Sequence, residues 1–354
     1  MTLKKKIRLS GDKSISHRAL MLACVSSGNS RLSNLCGGAD VQSTINCLKA
    51  CGAIIDKKDK HYTIYSSSLK NPNFHLNCGN SGTTMRLITG LLSGQKINAV
   101  LYGDDSLSKR PMDRIVEPLK KMGANLDYIN NQLVLKKSTI NGGQISNPTS
   151  SAQVKSSIIL AALGGKAKTV LTESYNTRDH TEKMVSYYSH NSIESSGKKI
   201  VINPSKMEMK NMEIPGDISK ASFLIAYACL STHSNLLFEN ILINPRRMGF
   251  IKTLNKMGAN ISIENKKNKY GEFIGNIHVK SNNRLKNIHV NDKDVRDMID
   301  EIPILSVVAA YSKGIMTITG LSELKLKESN RIIAIVSNLN SMGCDIREGR
   351  DSIL

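Results

Sequence analysis

The heptapeptide Leu119-Lys120-Lys121-Met122-Gly123-Ala124-Asn125 decides the fold because close variants of it recur along the chain. The variants begin at Leu48, Leu254 and Leu339. A glycine that follows a leucine-containing helical turn is typical of a left-handed helix C-cap, so each copy predicts the end of a helix. The β-prone segments 133–135 and 261–263 follow two of the copies and predict strands.

A second kind of helix, composed of small and apolar residues, also recurs. Its five copies are predicted at residues 15–27, 83–93, 152–163, 220–231 and 302–312. The spacing of the heptapeptide doubles between Leu119 and Leu254, so we expect a degenerate copy near residues 184–193. Units of two helices with strands around them cannot bury their apolar faces alone. The repeats therefore predict an α/β architecture with pseudo-symmetry.

The five units predict one complete domain of three units and a second domain that holds the rest. Pro215 and Gly216 interrupt the chain between the third and fourth units, where a boundary is expected. We therefore predict a first domain at residues 13–215 and a second at residues 1–12 with 216–354. The short N-terminal strand predicted at residues 6–9 would then return to the second domain.

The composition, 40% hydrophobic and 22% charged over 354 residues, is typical of folded globular proteins. A formal net charge of +20 favours anionic partners, which could be nucleic acid, a membrane surface or small phosphorylated substrates. Aromatic residues make up only 4%, and no aromatic-rich signature for base stacking is present. The basic N-terminus lacks a following apolar segment and no apolar run could span a bilayer, so we expect a cytoplasmic protein.

The cysteine pattern predicts reduced thiols in the core instead of metal ligands. The seven cysteines are Cys24, Cys36, Cys47, Cys51, Cys78, Cys229 and Cys344. Their number is odd, they form no C-x-x-C pair, and most of them lie in apolar periodic segments. No metal site is expected.

Hydroxyl, amide and basic side chains gather where several helices are expected to begin. The strings are residues 11–18, 79–86, 150–155 and 177–183. Unpaired backbone N–H groups and the helix dipole favour an anion at such positions. The string 79–86 is not a P-loop, because the Gly-Lys-Ser/Thr ending is missing. Each string taken singly also fits a solvated helix cap, but together they predict phosphate binding.

Two further strings carry candidate site residues. In the loop 103–111, Arg110 has a planar guanidinium that suits a carboxylate or phosphate, although the loop could also be a surface turn. In residues 327–331, Glu328 and Arg331 are three positions apart and are expected on one face of a helix. A carboxylate so placed can transfer protons.

These strings together resemble the 5-enolpyruvylshikimate-3-phosphate synthase family, and they occur in the family's order. The matching motifs are Lys13-Ser-Ile-Ser-His-Arg18, Gly79-Asn-Ser-Gly-Thr-Thr-Met-Arg86, Lys109-Arg-Pro111, Ser151-Ala-Gln-Val-Lys155, Arg178-Asp-His-Thr-Glu-Lys183, Asp297-Met-Ile-Asp-Glu301 and Lys327-Glu-Ser-Asn-Arg331. The Ser151-Ala-Gln-Val-Lys155 and Lys327-Glu-Ser329 variants are similar to the family's second class. The resemblance implies a two-domain, pseudo-symmetric enolpyruvyl transferase fold of β-α-β-α-β-β units, an inside-out α/β barrel, with five of six units in this sequence.

The resemblance also implies a set of site residues. Shikimate 3-phosphate would be bound by Lys13, Ser14, Arg18, Ser151, Ala152, Gln153, Arg178, Asp300 and Lys327. Phosphoenolpyruvate would be bound by Lys13, Asn80, Gly82, Arg110, Gln153 and Arg331. Asp300 would act as the base for the 5-hydroxyl, and Glu328 or Lys13 would protonate carbon. The family's reaction needs no cofactor, and we expect a monomer that binds neither nucleic acid nor membrane.

The sequence departs from the family pattern at its C-terminal end. The family's Asp-His-Arg motif and a late lysine, both in a sixth unit, do not occur here. We therefore expect exposed apolar surface on the second domain and a partly unfilled anion site. An inactive short family member is one alternative, and a basic binding protein without catalytic activity is another.

A sister enzyme with the same architecture acts on UDP-N-acetylglucosamine and commonly has a cysteine in the loop before Arg-Pro. Residues 104–109 contain no cysteine, which favours the shikimate enzyme. Gly82 lies where bulkier side chains in some relatives are associated with glyphosate tolerance, so the resemblance implies a glyphosate-sensitive enzyme.

Overall fold

The chain forms two compact units, which we call the larger unit (residues 11–214) and the smaller unit (residues 1–10 and 215–354). The computed structural model describes residues 3–149, 151–189, 191–208, 211–282 and 284–354. Ser150, which the sequence analysis included in one anion-binding string, lies outside these residues. The chain passes from one unit to the other after residue 10 and again after residue 214.

In the described part of the chain, helices and strands are interspersed. The α-helices are α1 (Lys13–Cys24), α2 (Ala39–Ala50), α3 (Gly82–Gly94), α4 (Asp105–Ser108), α5 (Asp113–Lys121), α6 (Ala152–Leu163), α7 (His180–Tyr188), α8 (Ile218–Leu230), α9 (Gly249–Lys256), α10 (Asp292–Arg296), α11 (Ile302–Ala310) and α12 (Arg331–Ser341). The strands of the larger unit are β2 (Ser30–Ser33), β3 (Ile54–Lys58), β4 (His61–Tyr65), β5 (Leu76–Asn77), β6 (Ala99–Tyr102), β7 (Asn125–Ile129), β8 (Gln132–Lys136), β9 (Gly143–Asn147), β10 (Thr169–Glu173), β11 (Ile193–Ser196), β12 (Lys199–Ile202) and β13 (Met212–Glu213). Those of the smaller unit are β1 (Leu3–Arg8), β14 (Ser234–Leu242), β15 (Asn260–Lys269), β16 (Glu272–Lys280), β17 (His289–Val290), β18 (Thr317–Thr319) and β19 (Ser352–Ile353).

Four of the sheets share one topology, as the repeats in the sequence predict. Their strand orders are β13-β2-β4-β3, β5-β6-β8-β7, β9-β10-β12-β11 and β1-β14-β16-β15. In each sheet the first pair is parallel and the other two pairs are antiparallel. The fifth sheet, β17-β18-β19, repeats the first two of these pairings. The predicted pseudo-symmetric α/β architecture is therefore confirmed.

The first and fourth repeats have exchanged their opening strands. Strand β1 pairs in parallel with β14, from Leu3 opposite Ser234 to Arg8 opposite Glu239. Strand β13 pairs in parallel with β2, with Met212 opposite Leu32. Each unit therefore contains one strand from a distant part of the sequence.

The recurring glycines end helices in the left-handed conformation that the heptapeptide predicts. Their φ angles are +86° at Gly52, +100° at Gly123, +101° at Gly258 and +87° at Gly343. In each case the following residue donates its backbone N–H to the carbonyl of the heptapeptide's leucine, for example Ala124 to Leu119 at 3.0 Å. This closes the helix and directs the chain into the next strand.

The core of the larger unit is built around three helices that are buried on almost every side, α1, α3 and α6. Helices α3 and α6 approach backbone to backbone. A methyl group added at Gly90 would lie 2.2 Å from the carbonyl oxygen of Ser157, and one at Gly94 would lie 2.8 Å from that of Ala161. Side chains larger than hydrogen would therefore separate these two helices.

The cysteines lie where the pattern predicts. The structure describes all seven as thiols outside disulfides, and all but Cys344 are buried. Burial raises the pKa of the Cys24, Cys51 and Cys229 thiols to about 12, so these side chains are protonated at neutral pH.

Apolar side chains on helix α8 of the smaller unit remain exposed. Phe223 and Tyr227 are 59% and 58% exposed, and Leu224 lies beside them in the sequence. The expectation of exposed apolar surface on this unit is therefore confirmed. None of the helices in the described ranges combines the length and apolarity that a bilayer crossing requires.

We expect Gly90→Ala to destabilise the protein by about 1 to 3 kcal/mol, because the new methyl group meets a backbone carbonyl that cannot rotate away. A gain in helix propensity of up to about 1 kcal/mol offsets only part of this loss. Urea unfolding of the whole chain measures the difference. Gly37→Ala is the matched control, because no atom lies within 4 Å of a methyl group added there. Equal stability of the two variants would contradict close packing of α3 on α6.

Candidate functional site

The N-terminus of α1 presents a lysine and a serine to solvent. The Asp12 carboxylate caps the helix by accepting the backbone N–H of Ile15 at 2.9 Å. Lys13 is exposed and forms an ion pair with Asp40, with 3.0 Å between Nζ and Oδ2. Ser14 is half-buried. Lys13 and Ser14 therefore lie at the N-terminal end of α1, where the helix dipole favours anions.

Arg18 is buried one turn into α1 and connects three helices. Its Nε donates to Thr181 Oγ1 at 2.7 Å, in the first turn of α7. One terminal nitrogen donates to the Ser14 carbonyl at 2.9 Å, and the other donates to Ser156 Oγ of α6 at 2.7 Å. The guanidinium is thereby fixed beside the starts of α1, α6 and α7.

The N-terminus of α3 places an asparagine next to a buried arginine. Asn80 donates from Nδ2 to both oxygens of Asp104, at 3.0 and 2.7 Å. The Asn80 side-chain oxygen accepts from Arg110 at 2.6 Å. Asn80 and the Leu107 backbone N–H stabilise the ionised Asp104 carboxylate and lower its pKa. Arg110 is only 8% exposed, so the alternative of a plain surface turn is wrong for this residue.

Gly82, the first residue of α3, lies against two guanidinium groups. A methyl group added there would be 2.8 Å from an Arg86 nitrogen and 3.0 Å from an Arg110 nitrogen. The absent side chain lets both cations approach the start of the helix. A side chain at Gly82 would therefore displace the ends of these two arginine side chains.

Arg86 links the starts of α3 and α6, a role that the sequence analysis did not assign. It donates to Gln153 Oε1 at 2.6 Å and to the Pro111 carbonyl at 3.2 Å. The Gln153 amide in turn donates to Thr83 Oγ1 at 2.9 Å. Arg86 and Gln153 are 67 positions apart, so no local pattern in the sequence could have indicated this pair.

The start of α6 carries the remaining predicted ligands of the larger unit. Ser151 is the N-cap and accepts the Val154 backbone N–H at 3.4 Å. Ala152 and Gln153 open the helix and are half-buried. Arg178 is also half-buried and lies in the segment that connects β10 to α7.

The N-termini of α1, α3 and α6 therefore meet within the larger unit. Arg18 with Ser156 joins α1 to α6, and Arg86 with Gln153 joins α3 to α6, each pair within the first two turns of its helices. Helix N-termini with basic side chains between them bind phosphate and carboxylate groups through backbone N–H groups and charge. The arrangement fits small ligands with more than one anionic group.

A buried chain of hydrogen bonds runs from α1 to the N-cap of α3. His17 Nδ1 lies 2.7 Å from Thr44 Oγ1, which lies 2.8 Å from Thr84 Oγ1. Thr84 donates to Ser81 Oγ at 2.7 Å. Burial, and then the charges of Lys13 and Arg18, lowers the pKa of His17 to about 3. The imidazole is therefore neutral at physiological pH.

In the smaller unit, two cations flank the carboxylate of Asp300, just before α11. Asp300 Oδ1 lies 3.5 Å from Lys327 Nζ and 3.4 Å from an Arg331 nitrogen. The other terminal nitrogen of Arg331 donates to Glu328 at 2.8 Å. The four predicted residues of this unit are thus brought together.

The expected helical placement of Glu328 is wrong. Helix α12 begins at Arg331, with Asn330 as its N-cap accepting the Ile332 backbone N–H at 3.2 Å. Glu328 precedes the helix, because the Asn330 cap starts the helical turn after it. Its contact with Arg331 arises from the bend that precedes the cap.

A buried polar cluster that the sequence analysis did not identify lies next to Asp300 in the sequence. Glu301 accepts a hydrogen bond from Ser219 of α8, and Arg247 donates to the same hydroxyl at 2.7 Å. Arg247 also lies 3.7 Å from Asp217, the N-cap of α8. These contacts fix the start of α11 against the start of α8. Ser219 and Glu301 are 82 positions apart, too far for any local signal.

The comparisons with known proteins all indicate the same family. The family model described as EPSP synthase (3-phosphoshikimate 1-carboxyvinyltransferase) matches residues 1–354. The chain is 40% identical to the 3-phosphoshikimate 1-carboxyvinyltransferase of Syntrophomonas wolfei and 41% identical to that of Alkaliphilus metalliredigens. Each alignment covers 99% of this chain and 84% of the relative. A solved EPSP synthase from Acinetobacter baumannii is similar at a TM-score of 0.88 and 37% identity, over 99% of this chain and 82% of that one.

The depressed pKa of His17 predicts acid sensitivity of the fold. The unfolded chain binds a proton at His17 below about pH 6.5, whereas the folded protein does not until about pH 3. Stability from this group is therefore present above pH 6.5 and is lost as the pH falls. Between pH 7 and 5 the loss is about 2 kcal/mol. Over the same pH interval, we expect the free energy of unfolding of His17→Asn, measured in urea, to fall by about 2 kcal/mol less than that of the wild type. His75→Asn, which removes an exposed imidazole, is the matched control, and equal slopes for both variants would contradict a neutral His17.

Proposed function

The chain belongs to the EPSP synthase family, and we propose that it transfers the enolpyruvyl group of phosphoenolpyruvate to the 5-hydroxyl of shikimate 3-phosphate, with release of phosphate. It is thus proposed as a 3-phosphoshikimate 1-carboxyvinyltransferase, which leads toward chorismate and the aromatic amino acids. The observation that carries the proposal is the meeting of the α1, α3 and α6 N-termini, joined through Arg18 and Arg86. Both substrates carry a phosphate and a carboxylate, the groups that such helix ends bind.

In the larger unit, we assign the binding of shikimate 3-phosphate to the starts of α1 and α6 and to Arg178. The residues are Lys13, Ser14, Arg18, Ser151, Ala152, Gln153 and Arg178. We assign phosphoenolpyruvate to Asn80, Gly82 and Arg110 at the start of α3, together with Lys13 and Gln153. The support is the hydrogen bonding of Asn80 to Arg110 and of Gln153 to Thr83, which fixes these groups before a ligand binds.

In the smaller unit, we assign Asp300 and Lys327 to shikimate 3-phosphate and Arg331 to phosphoenolpyruvate. Lys327 and Arg331 lie within 3.5 Å of the Asp300 carboxylate, so a substrate phosphate or carboxylate could exchange with it as a partner of either cation. Asp300 would then be able to accept a proton from a hydroxyl group.

The proposed reaction proceeds by addition and elimination. The 5-hydroxyl oxygen bonds to C2 of phosphoenolpyruvate, its proton passes to Asp300, and C3 receives a proton from Glu328 or Lys13. The C2–O bond to phosphate then breaks, C3 returns its proton to the base, and the enolpyruvyl ether and phosphate remain. Charge at the phosphates and carboxylate is stabilised by the cations and helix ends, so the reaction requires no cofactor.

We further propose that the enzyme acts as a cytoplasmic monomer on these two small anions, and not on nucleic acid or a membrane surface. The net charge of +20 is consistent with anionic substrates. It would also raise their local concentration near the site.

The function is tested by phosphate release from phosphoenolpyruvate. We expect release by the whole chain to depend on shikimate 3-phosphate and to be absent with UDP-N-acetylglucosamine. We expect Glu328→Gln to lower kcat by about 10²- to 10³-fold, because the amide keeps an oxygen for Arg331 but cannot donate a proton as an acid. The KM values should change by less than about threefold, since proton transfer occurs in the transition state.

Glu194→Gln, an exposed change on β11, is the matched control and should turn over like the wild type. Phosphate release that required UDP-N-acetylglucosamine would assign the chain to the sister reaction. Wild-type turnover in Glu328→Gln would remove this carboxylate from the chemistry.

Gly82→Ala tests the assignment of phosphoenolpyruvate to the start of α3. The new methyl group displaces the Arg86 and Arg110 guanidinium groups, which lie 2.8 and 3.0 Å from its position. We expect the KM for phosphoenolpyruvate to rise at least about tenfold, a loss of about 1.4 kcal/mol or more in binding. The dissociation constant for shikimate 3-phosphate, measured by calorimetry, should rise by a smaller factor, because of its assigned residues only Gln153 is a partner of Arg86. Equal weakening of both substrates would contradict separate assignments.

A further inference from the structure

Lys155 of α6 is a fully buried lysine to which the proposed reaction gives no role. Its side chain is 1% exposed. Nζ lies 3.0 Å from Glu173 Oε2 and 2.6 Å from Glu182 Oε1, and it donates to the Thr177 carbonyl at 3.3 Å. A lysine ammonium has three N–H groups, and these three oxygens use all of them. Lys155 therefore has no donor left for a substrate.

Two of the three oxygens belong to the elements that flank one short segment, and the third lies within that segment. Glu173 is the last residue of β10, and Glu182 is in the first turn of α7. Residues 174–179, which include Arg178, connect them. Thr177 is held twice, because its carbonyl accepts from Lys155 and its hydroxyl donates to Glu173 Oε1 at 2.7 Å. The residue immediately before Arg178 is thus fixed through both backbone and side chain.

The start of α7 is also bonded to the next residue of α6. Ser156 Oγ lies 2.7 Å from Thr181 Oγ1, and Arg18 donates to both hydroxyls. Arg178 is therefore placed relative to the start of α6 by contacts on either side of it in the sequence. Of the contacts on the two sides of Arg178, those of Lys155 are ion pairs, with one ammonium between two buried carboxylates.

Such a cluster is costly to bury and is not expected for stability alone. Desolvation penalises all three charges. Apolar residues of similar size can often replace such a cluster without loss of stability. Burial raises the pKa of Glu182, and the nearby Lys155 offsets only part of that rise. Retaining the charges fixes geometry, because an ammonium between two carboxylates tolerates little displacement.

We propose that Lys155 is a positioning residue which, with Glu173 and Glu182, fixes Arg178 against the start of α6 and thereby sets the affinity for shikimate 3-phosphate. The substrate named here rests on the proposed function, which assigns shikimate 3-phosphate to Arg178. The positioning itself is a property of the unliganded protein. The two parts can therefore be tested separately.

The test uses the whole chain with Lys155→Met and with the double variant Lys155→Met, Glu182→Gln. The double variant keeps the net charge of the cluster at minus one, because it removes one positive and one negative charge. We expect the dissociation constant and KM for shikimate 3-phosphate to rise at least about tenfold in both. At saturating shikimate 3-phosphate, kcat and the KM for phosphoenolpyruvate should stay within about threefold of the wild type, because Lys155 touches no reacting atom.

Hydrogen exchange of the unliganded protein provides the second readout. We expect backbone amides of residues 174–182 to exchange at least about tenfold faster in both variants, with the amides of α6 itself unchanged. Lys199→Met removes an exposed lysine from β12 and is the matched control for both readouts. Should neither Lys155 variant fold, Thr177→Val decides in their place, because it keeps every charge and removes the hydroxyl bond to Glu173 that holds the same segment.

Each outcome bears on a different part of the inference. Wild-type exchange and wild-type affinity in a folded variant would overturn it. Equal weakening of both substrates together with faster exchange throughout the larger unit would indicate a general structural role and would also overturn it. If the wild-type chain does not bind shikimate 3-phosphate, the proposed function fails, while the exchange of residues 174–182 still decides whether Lys155 fixes the segment.

Discussion

The larger unit depends on the close approach of helices α3 and α6. A backbone carbonyl of α6 lies so near Gly90 that only hydrogen fits between the helices. This separation is what lets side chains at their starts reach one another, as the 2.6 Å bond between Arg86 and Gln153 requires. A wider spacing would leave the helix ends as separate weak anion sites, because the dipole effect falls off within the first turn.

The same closeness places several cations in the interior, and each one needs a defined set of partners. Arg18 is held by two hydroxyl groups and a carbonyl, whereas Lys155 is held by two carboxylates and a carbonyl. His17 responds to the local positive charge and to burial by remaining neutral. Positive charge is thus concentrated near the helix starts beside a neutral imidazole, which suits a site that binds polyanions near neutral pH.

The sequence predicts the architecture well and the side-chain network poorly, for a physical reason. Helix ends such as Gly123 are local features, because a left-handed cap depends on neighbouring residues only. The family motifs likewise mark the helix starts. The predicted helical placement of Glu328 was wrong because the helix begins only after the Asn330 cap, which follows Glu328 in the chain. Contacts such as Arg86 with Gln153 or Ser219 with Glu301 join distant repeats, and they become visible only when the helices are packed.

Repetition of one backbone design allows different chemistry at equivalent helix starts. In the larger unit, the starts of α1, α3 and α6 carry hydroxyl, amide and basic groups, a composition that attracts anions. In the smaller unit, carboxylates precede α11 and α12, at Asp300 and Glu328, and both contact Arg331. A carboxylate among the anion-binding groups of the larger unit would repel a phosphate unless it were already paired, as Asp40 and Asp104 are. Carrying the proposed carboxylate acid–base groups on a different repeat therefore lets anion binding and proton transfer evolve on one fold without opposing each other.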